Sequence, residues 1–268
     1  MFARLISFLG TINKNRYMIK SFALTDLKKR YTGSFGGLMW SVVHPLMTIF
    51  TYYIIFSFVF GRKVAADYGT DSYALWLVGG LVPWFFFNET VTRSPGALQE
   101  NRSLVTKTLF PSEIIPICLL ASGIINHLIG LFILLVFAVI ITGGISVYFP
   151  FVLVYFFLMT LMVLGLSWMF SSLNVFVRDV GQLLKIGMNL WFYYTPIFYP
   201  IGIVPERFRI VLELNPMYHV VEGYRNSLIA GRYPDPGHVA YLALFAFCTF
   251  AAGGLLYKRL KPAFADVL

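Results

Sequence analysis

The chain has 268 residues, of which 58% are hydrophobic and only 12% are charged, and its mean hydropathy is +0.75. Soluble domains are about 45–50% apolar and about 25% charged, so this composition excludes an ordinary soluble domain and predicts an all-α integral membrane protein. The net charge of +9 comes from basic residues at the ends of apolar segments, which favours membrane topology over nucleic-acid binding. The only two cysteines, Cys118 and Cys248, lie in separate apolar runs, so we expect no disulfide framework and no metal site.

The segment before the first apolar run, residues 13–32, predicts an amphipathic helix that lies in the membrane interface. A solvated leader helix is the alternative. The apolar stripe has helical spacing, which favours the interfacial helix. Its members are Ile19, Phe22, Ala23, Leu27 and Tyr31.

Six apolar segments predict membrane-spanning helices, each of which needs about 20 predominantly apolar residues. If the N-terminus is cytoplasmic, fifteen of the 21 lysines and arginines fall in cytoplasmic segments. The positive-inside rule then places both termini in the cytoplasm. The predicted spans are 38–60, 72–88, 114–141, 147–177, 183–204 and 239–257.

The cytoplasmic loop between the second and third spans predicts a short polar helix over 95–107. Ser94 and Pro95 match an N-cap followed by proline at the first helical position, and Pro111 ends the segment. A polar helix held between two spans would suit docking to a soluble partner, and a plain connector is an equal alternative.

Two short segments after the fifth span, within 205–230, predict re-entrant or interfacial half-helices. Pro205 starts the first, and Asn215 with Pro216 ends it and starts the second, which Gly231 stops. Both segments are too short to cross a bilayer and too apolar for a simple exposed loop.

Motifs for catalysis or nucleotide binding are missing from the sequence. It contains no GxxxxGK[ST], HExxH or GxSxG pattern. No predicted span has an acidic residue at its centre, which argues against an ion relay. His127, near the middle of the third span, predicts a hydrogen bond between helices. The chain therefore shows no energy source of its own, and we expect no enzymatic activity and no cofactor in it.

Aromatic side chains are abundant, with 27 Phe, 16 Tyr and 5 Trp, and they are densest in WFYYTPIFYP at 191–200. Pro196 and Pro200 are expected to break the helix there. Interfacial belts explain many of these rings. A ring with a polar handle also matches a sugar, and weak binding at many sites suits conduction. The predicted channel residues are Trp40, Tyr52, Tyr53, Trp84, Phe87, Trp191, Tyr194, Phe198 and Tyr199.

Three segments in the same order resemble the permease subunits of type-2 ABC exporters for polysaccharides. LKKRYTGSFGGLMWSVVHPL (27–46) resembles the stretch that enters the first span in that family, and PIFYP (196–200) resembles the aromatic-proline turn after the fifth. LNPMYHVVEGYRNSLIAG (214–231) resembles its Asn-Pro signature before the last span.

The resemblance implies a homodimeric channel in the inner (plasma) membrane, with two copies of an ATPase subunit that bind ATP and Mg. The implied substrate is a lipid-linked glycan, O-antigen above all. The 13–32 and 95–107 helices would contact the ATPase, and the half-helices would close the channel outside. The implied ATPase contacts are Arg30, Tyr31, Leu98, Gln99, Glu100, Asn101 and Arg102. The implied external gate is Pro205, Asn215, Pro216, Tyr218 and Tyr224.

Three other functions stay open on sequence alone. A permease for teichoic acid or one for drugs or lipids would belong to the same superfamily. A membrane anchor or assembly subunit that transports nothing would be of another class.

Overall fold

The computed structural model describes residues 14–31, 39–60, 68, 70, 72–107 and 110–268. All regular structure in these ranges is helical, as the composition predicts. The helices are α1 Arg16–Tyr31, α2 Trp40–Phe60, α3 Tyr73–Arg93, α4 Ala97–Glu100, α5 Arg102–Lys107, α6 Ile114–Thr142, α7 Phe151–Phe176, α8 Val180–Tyr194, α9 Glu206–Glu213, α10 Pro216–Arg225, α11 Pro236–Leu260 and α12 Phe264–Val267.

In the described chain, four helical stretches are long and apolar enough to cross a bilayer: Tyr73–Glu100, Ile114–Thr142, Phe151–Phe176 and Pro236–Val267. They fall on the second, third, fourth and sixth predicted spans. Helix α2, with 21 residues, covers the first predicted span, and α8, with 15 residues, covers the start of the fifth. The chain is therefore a multi-pass helical membrane protein, and the count of six spans stays a prediction.

Helix α8 ends at Tyr194, which confirms the break predicted at Pro196. Thr195 has extended backbone angles, and its hydroxyl donates to the Trp191 carbonyl at 2.9 Å. A helix of 15 residues reaches only about 22 Å, which is less than the hydrocarbon core of about 30 Å. The helix stops well before the predicted bound at Val204, so a fifth span over 183–204 would need the irregular segment after Tyr194 to complete it.

Helix α1 packs on α6 through the apolar stripe predicted from the sequence. Ala23 is buried, Ile19 packs against the core, and the rings of Phe22 and Phe110 lie 6.2 Å apart. The side chains of Leu27 and Tyr31 lie outside the described residues. The position of α1 in the membrane interface stays a prediction.

Polar contacts fix the same helix to the predicted cytoplasmic end of the bundle. Asp26 accepts hydrogen bonds from both Nη atoms of Arg93, at 3.0 and 2.6 Å. Ser122 on α6 donates a third hydrogen bond to Asp26 at 2.8 Å. One carboxylate thus joins α1 to α3 and α6.

The N-cap predicted at Ser94 is wrong. Ser94 has helical backbone angles, and its hydroxyl donates to the Val91 carbonyl at 2.7 Å. In a helix that continues, the nearest acceptor for a serine hydroxyl is a carbonyl one turn earlier. Helix α3 therefore passes through a 3₁₀ turn into α4 without a new start.

The chain forms two short helices within 205–230, as predicted, and their re-entrant or interfacial position stays a prediction. Pro205 directly precedes α9, and the Asn215 side chain caps α10 by accepting from the Met217 amide at 3.0 Å. Pro216 occupies the first turn of α10. A π turn extends this helix to Gly231, whose φ of +58° is suited to glycine.

Candidate functional site

A cavity of about 840 Å³ lies between α2, α3, α6 and α8. Three of the predicted channel residues, Trp40, Tyr52 and Trp84, line it. Trp84 is otherwise buried, whereas Trp40 is half exposed. These rings come from α2 and α3, so the fold brings together aromatic residues that are separated in the sequence.

A second cavity, of about 400 Å³, lies on the predicted external side between the end of α8 and α9. Tyr194 and Tyr199 of the predicted channel set line it, together with the predicted gate residue Pro205. Phe208 and Val211 of α9 form part of its other wall. The predicted channel and gate residues therefore meet at this point.

A series of ring contacts joins the two cavities through Phe192. Its ring centroid lies 5.4 Å from Tyr52, 5.3 Å from Trp84 and 5.6 Å from Phe198. Phe198 in turn lies 5.3 Å from Tyr199. Phe192 lines the larger cavity, but sequence reasoning missed it because a dense aromatic run does not show which ring faces which neighbour.

The remaining predicted channel residues support these walls. Phe87 is fully buried and has no open face in this structure, and its ring packs edge-on against Trp191 at 5.1 Å. Tyr53 is exposed, with its ring 6.4 Å from Tyr73. Tyr73 donates to the Phe198 carbonyl at 2.9 Å, which holds the proline turn against α3.

Asn215 connects the end of α8 to the start of α10. Besides capping α10, its Oδ1 accepts from Trp191 Nε1 at 2.8 Å, and its Nδ2 donates to Thr195 Oγ1 at 2.9 Å. The side chain is buried. One amide therefore satisfies groups from the aromatic run and from the predicted gate.

We expect Asn215→Ala to lower the free energy of unfolding by about 2 kcal/mol, because it removes a helix cap and two other hydrogen bonds. Asn215→Ser keeps an uncharged acceptor that can cap α10, so its loss of unfolding free energy should be clearly smaller. Thermal unfolding of the purified chain in detergent measures both. Equal losses for the two variants would contradict this account.

Tyr224 of the predicted gate is a buried anchor. Its hydroxyl lies 2.9 Å from His127 Nε2, which confirms the interhelical hydrogen bond predicted for that histidine. The His127 ring also stacks on Phe156 with centroids 4.6 Å apart. Tyr218 is buried too, and its ring packs edge-on against His238 of α11 at 5.9 Å. Helix α10, predicted as part of the gate, is thus fixed to both α6 and α11.

The strongest polar anchor of α10 is Arg225, which sequence reasoning missed. This arginine is fully buried, and its guanidinium donates to the carbonyls of Trp76, Pro196 and Ile197 at 3.2, 2.9 and 2.6 Å. It lies over the Trp76 ring at 3.5 Å and donates to Glu222 at 3.0 Å. Arg225 therefore holds the proline turn against α3 and α10.

Tyr68 extends this cluster into the segment between α2 and α3 by donating to Glu222 at 2.7 Å. Burial raises the pKa of Tyr68 well above its usual value, and the nearby Glu222 carboxylate raises it further. A signal for the cluster exists in the sequence, since Glu222 and Arg225 form an i, i+3 pair within an otherwise apolar helix.

Among the residues that were expected to contact an ATPase on the predicted cytoplasmic side, Glu100 and Arg102 are exposed. Leu98 is fully buried. Gln99 donates to the Asn174 carbonyl at 3.2 Å, and Asn101 donates to the Ala97 carbonyl at 2.9 Å.

The Gln99 hydrogen bond attaches α4 to the end of α7. Asn174 also donates to the Pro95 carbonyl at 3.0 Å and accepts from the Gly181 amide at 3.1 Å. The other two predicted contacts, Arg30 and Tyr31, have side chains outside the described residues.

A family model described as ABC-2 type transporter matches residues 18–229. The chain belongs to the ABC-2 type transporter family. The matched range runs from α1 to the π turn after α10, so the aromatic series, the Asn215 contacts and the Arg225 cluster all lie within it. The family suggested by the three sequence segments is thereby confirmed.

Curated relatives of this ABC-2 chain match over nearly their full length. An O-antigen export system permease protein RfbA of Klebsiella pneumoniae is 28% identical over 91% of this chain and 92% of the relative. The protein of the same name in Myxococcus xanthus is 24% identical over 98% of this chain and 99% of the relative. Polysialic acid transport protein KpsM of Escherichia coli is 24% identical over 91% of this chain and 94% of the relative.

Proposed function

We propose that this chain is the permease subunit of an ATP-driven exporter that moves a lipid-linked polysaccharide, O-antigen above all, out of the cytoplasm. The observation that carries the proposal is the near-full-length similarity to permeases named for O-antigen export and for polysialic acid transport. The ring series that joins the two cavities supports it independently.

The rings suit a polymer of sugars because each offers a flat apolar face to C–H groups without holding the chain tightly. In this proposal two copies form the channel in the inner membrane, with both termini cytoplasmic. The glycan passes the rings around Phe192 and leaves beside Tyr194 and Tyr199. The half-helices α9 and α10 close this exit when no glycan is moving.

Energy would come from an ATPase subunit, in two copies, that docks on the cytoplasmic side. Glu100 and Arg102, exposed on α4 and α5, are among the side chains that it would contact. The Asp26–Arg93 ion pair, with its two hydrogen bonds, would transmit a displacement of α1 to α3. Helix α3 carries Trp84, so the same displacement would reach the rings of the larger cavity.

Deletion of the gene tests the proposed function, with surface polysaccharide as the readout. We expect loss of the surface polymer, accumulation of the lipid-linked form inside, and recovery by the plasmid-borne gene. Unchanged surface polysaccharide with altered resistance to hydrophobic drugs would favour the drug or lipid exporter. Loss of teichoic acid in place of O-antigen would change the identity of the exported polymer and leave the export function in place. Stimulation of the partner's ATPase by glycan would argue against a membrane anchor that transports nothing.

We expect Tyr194→Ala to reduce export several-fold while assembly with the ATPase stays intact, because the ring lines the external cavity and is only half-buried. Tyr194→Phe keeps the ring face and should retain most export. Tyr233→Ala is the matched control, since Tyr233 is exposed on the same side outside that cavity. Export at the wild-type level by Tyr194→Ala would show that this ring is not part of the proposed glycan path.

A further inference from the structure

After α11 the chain remains packed against the predicted cytoplasmic end of the bundle. A 3₁₀ turn over Lys261–Ala263 leads into α12, and the Leu268 amide donates to the Phe264 carbonyl at 2.9 Å, which adds one more helical turn. Phe264 is 1% exposed and Leu268 is 9% exposed. Residues 261–268, which we call the tail, are therefore a packed part of the structure.

The tail is fixed to the ends of three other helices. The Phe264 ring packs edge-on against Tyr257 of α11, with centroids 5.2 Å apart, and lies 6.2 Å from Phe176 at the end of α7. Lys261 Nζ donates at 2.5 Å to Oε2 of Glu113, which directly precedes α6. The tail thus bridges the predicted cytoplasmic ends of α6, α7 and α11.

The tail also supports α5. Among the described helices, only α12 and the adjoining α4 contact α5 extensively. Val105 of α5 is half-buried and packs against the hydrophobic core, to which Phe264 and Leu268 belong. Arg102 and Ser103 of the same helix are exposed. A helix of six residues is not stable alone in water, so the position of α5 depends on this packing.

Helices α4 and α5 therefore share a base at the end of α7. Gln99 of α4 donates to the Asn174 carbonyl, and two residues further along α7 the Phe176 ring meets Phe264 of the tail. Helix α7 in turn packs on α11 more extensively than any other pair of described helices. The tail thus connects α5 to the most closely packed part of the bundle.

We propose that the tail holds α5 in position for docking of the soluble ATPase subunit. Phe264 and Lys261 are the positioning residues, because the first packs on rings of α7 and α11 and the second joins the turn to Glu113. The inference deepens the proposed function, on which it rests, because it identifies residues that hold a docking helix without belonging to it.

Hydrogen–deuterium exchange of the full-length chain in lipid nanodiscs tests the positioning without any partner. Phe264→Ala removes a buried ring and should raise amide exchange in 102–107 by about fivefold, as expected for a local loss of packing. The central part of α7 should exchange as in the wild type. Val267→Ala is the matched control, since Val267 lies in the same helix and is 48% exposed. Unchanged exchange in 102–107 would overturn the inference.

Charge exchange tests the ion pair in variants that should fold normally. Lys261 and Glu113 are both partly exposed, so their replacement costs little stability. Lys261→Glu brings two carboxylates together and should raise exchange in 102–107, and adding Glu113→Lys should restore the wild-type rate. Lys258→Glu, at an exposed lysine three residues earlier, should change nothing. Failure of Glu113→Lys to restore the rate would contradict the role of the ion pair.

The ATPase subunit that copurifies with the wild-type chain tests the docking. Folded Phe264→Ala chain should retain at least fivefold less of this subunit, and Phe264→Leu, which keeps a large apolar side chain, should recover most of it. A residue that only stabilised the fold would change the yield of folded chain but not the amount of ATPase bound to each folded chain. Equal amounts on wild-type and Phe264→Ala chains would overturn the inference.

The failure of this inference is distinguishable from failure of the proposed function. If deletion of the gene abolishes surface polysaccharide but Phe264→Ala changes neither exchange in 102–107 nor ATPase binding, the function stands and the tail has no positioning role. If deletion leaves surface polysaccharide unchanged, the proposed function fails, and exchange in the purified chain still decides whether the tail holds α5.

Discussion

Replacing Arg225 by methionine is expected to lower the free energy of unfolding by about 3–5 kcal/mol, the range for breaking a buried ion pair. The change removes donors to three carbonyls and leaves the Glu222 carboxylate, whose side chain is 11% exposed, without its cation. Arg225→Lys keeps the charge but lacks the planar guanidinium with its several N–H donors. We therefore expect it to recover less than half of the lost free energy of unfolding.

Thermal unfolding of the purified chain in detergent measures this effect, with Arg207→Met as the matched control. Arg207 is an exposed arginine of the neighbouring half-helix that lies over Phe208 at 4.8 Å, so its loss should cost less than about 1 kcal/mol. Adding Glu222→Gln to Arg225→Met should recover part of the loss by removing the unpaired charge. Similar stability of Arg225→Met and Arg207→Met would show that the cluster does not hold α10 and the proline turn against α3.

The fold was predictable where a local signal decides the structure. Long uncharged runs predict α3, α6, α7 and α11, because every backbone polar group inside a bilayer needs a partner within a helix. The half-helix α10 was predictable at both ends, since Asn215 can cap it and Gly231 can adopt a positive φ. Ser94 shows the limit, because its hydroxyl has a second acceptor in a continuing helix.

The site was less predictable because its partners are distant in sequence. Glu222 and Arg225 are visible as a pair, but nothing in the sequence shows that Trp76 and Pro196 supply carbonyls to the guanidinium. The aromatic run shows the same limit, since adjacent rings on a helix face different neighbours. Phe192 contacts rings of the larger cavity directly and Tyr199 of the smaller one through Phe198, whereas Phe87, chosen for its place in a dense run, is buried.

The crossing of α7 and α11 leads to the second large effect. A methyl group on Gly253 would overlap the backbone of Gly165, and one on Gly165 would overlap the backbone at Thr249. Close approach of helix backbones at small residues is a common way to pack helices in membranes, where no hydrophobic force joins them. Backbone atoms cannot rotate away as a side chain can, so each methyl group must push the helices apart.

We expect Gly253→Ala to lower the free energy of unfolding by about 2–3 kcal/mol, the upper end of the range for overpacking. Gly254→Ala is the matched control, because Gly254 lies in the same helix and the change to alanine gains the same helix propensity. Its new methyl would meet only Trp168 ring carbons at 3.7 Å, an ordinary contact. Thermal unfolding in detergent should therefore show a large loss for the first variant and little change for the second.

The double variant Gly165→Ala with Gly253→Ala makes the test sharper. Both methyl groups enter the same crossing, so the separation forced by the first already makes room for the second. The loss in the double variant should fall clearly short of the sum of the single losses, as expected for residues in contact. Strict additivity, or equal stability of Gly253→Ala and Gly254→Ala, would mean that α7 and α11 do not pack backbone to backbone at this point.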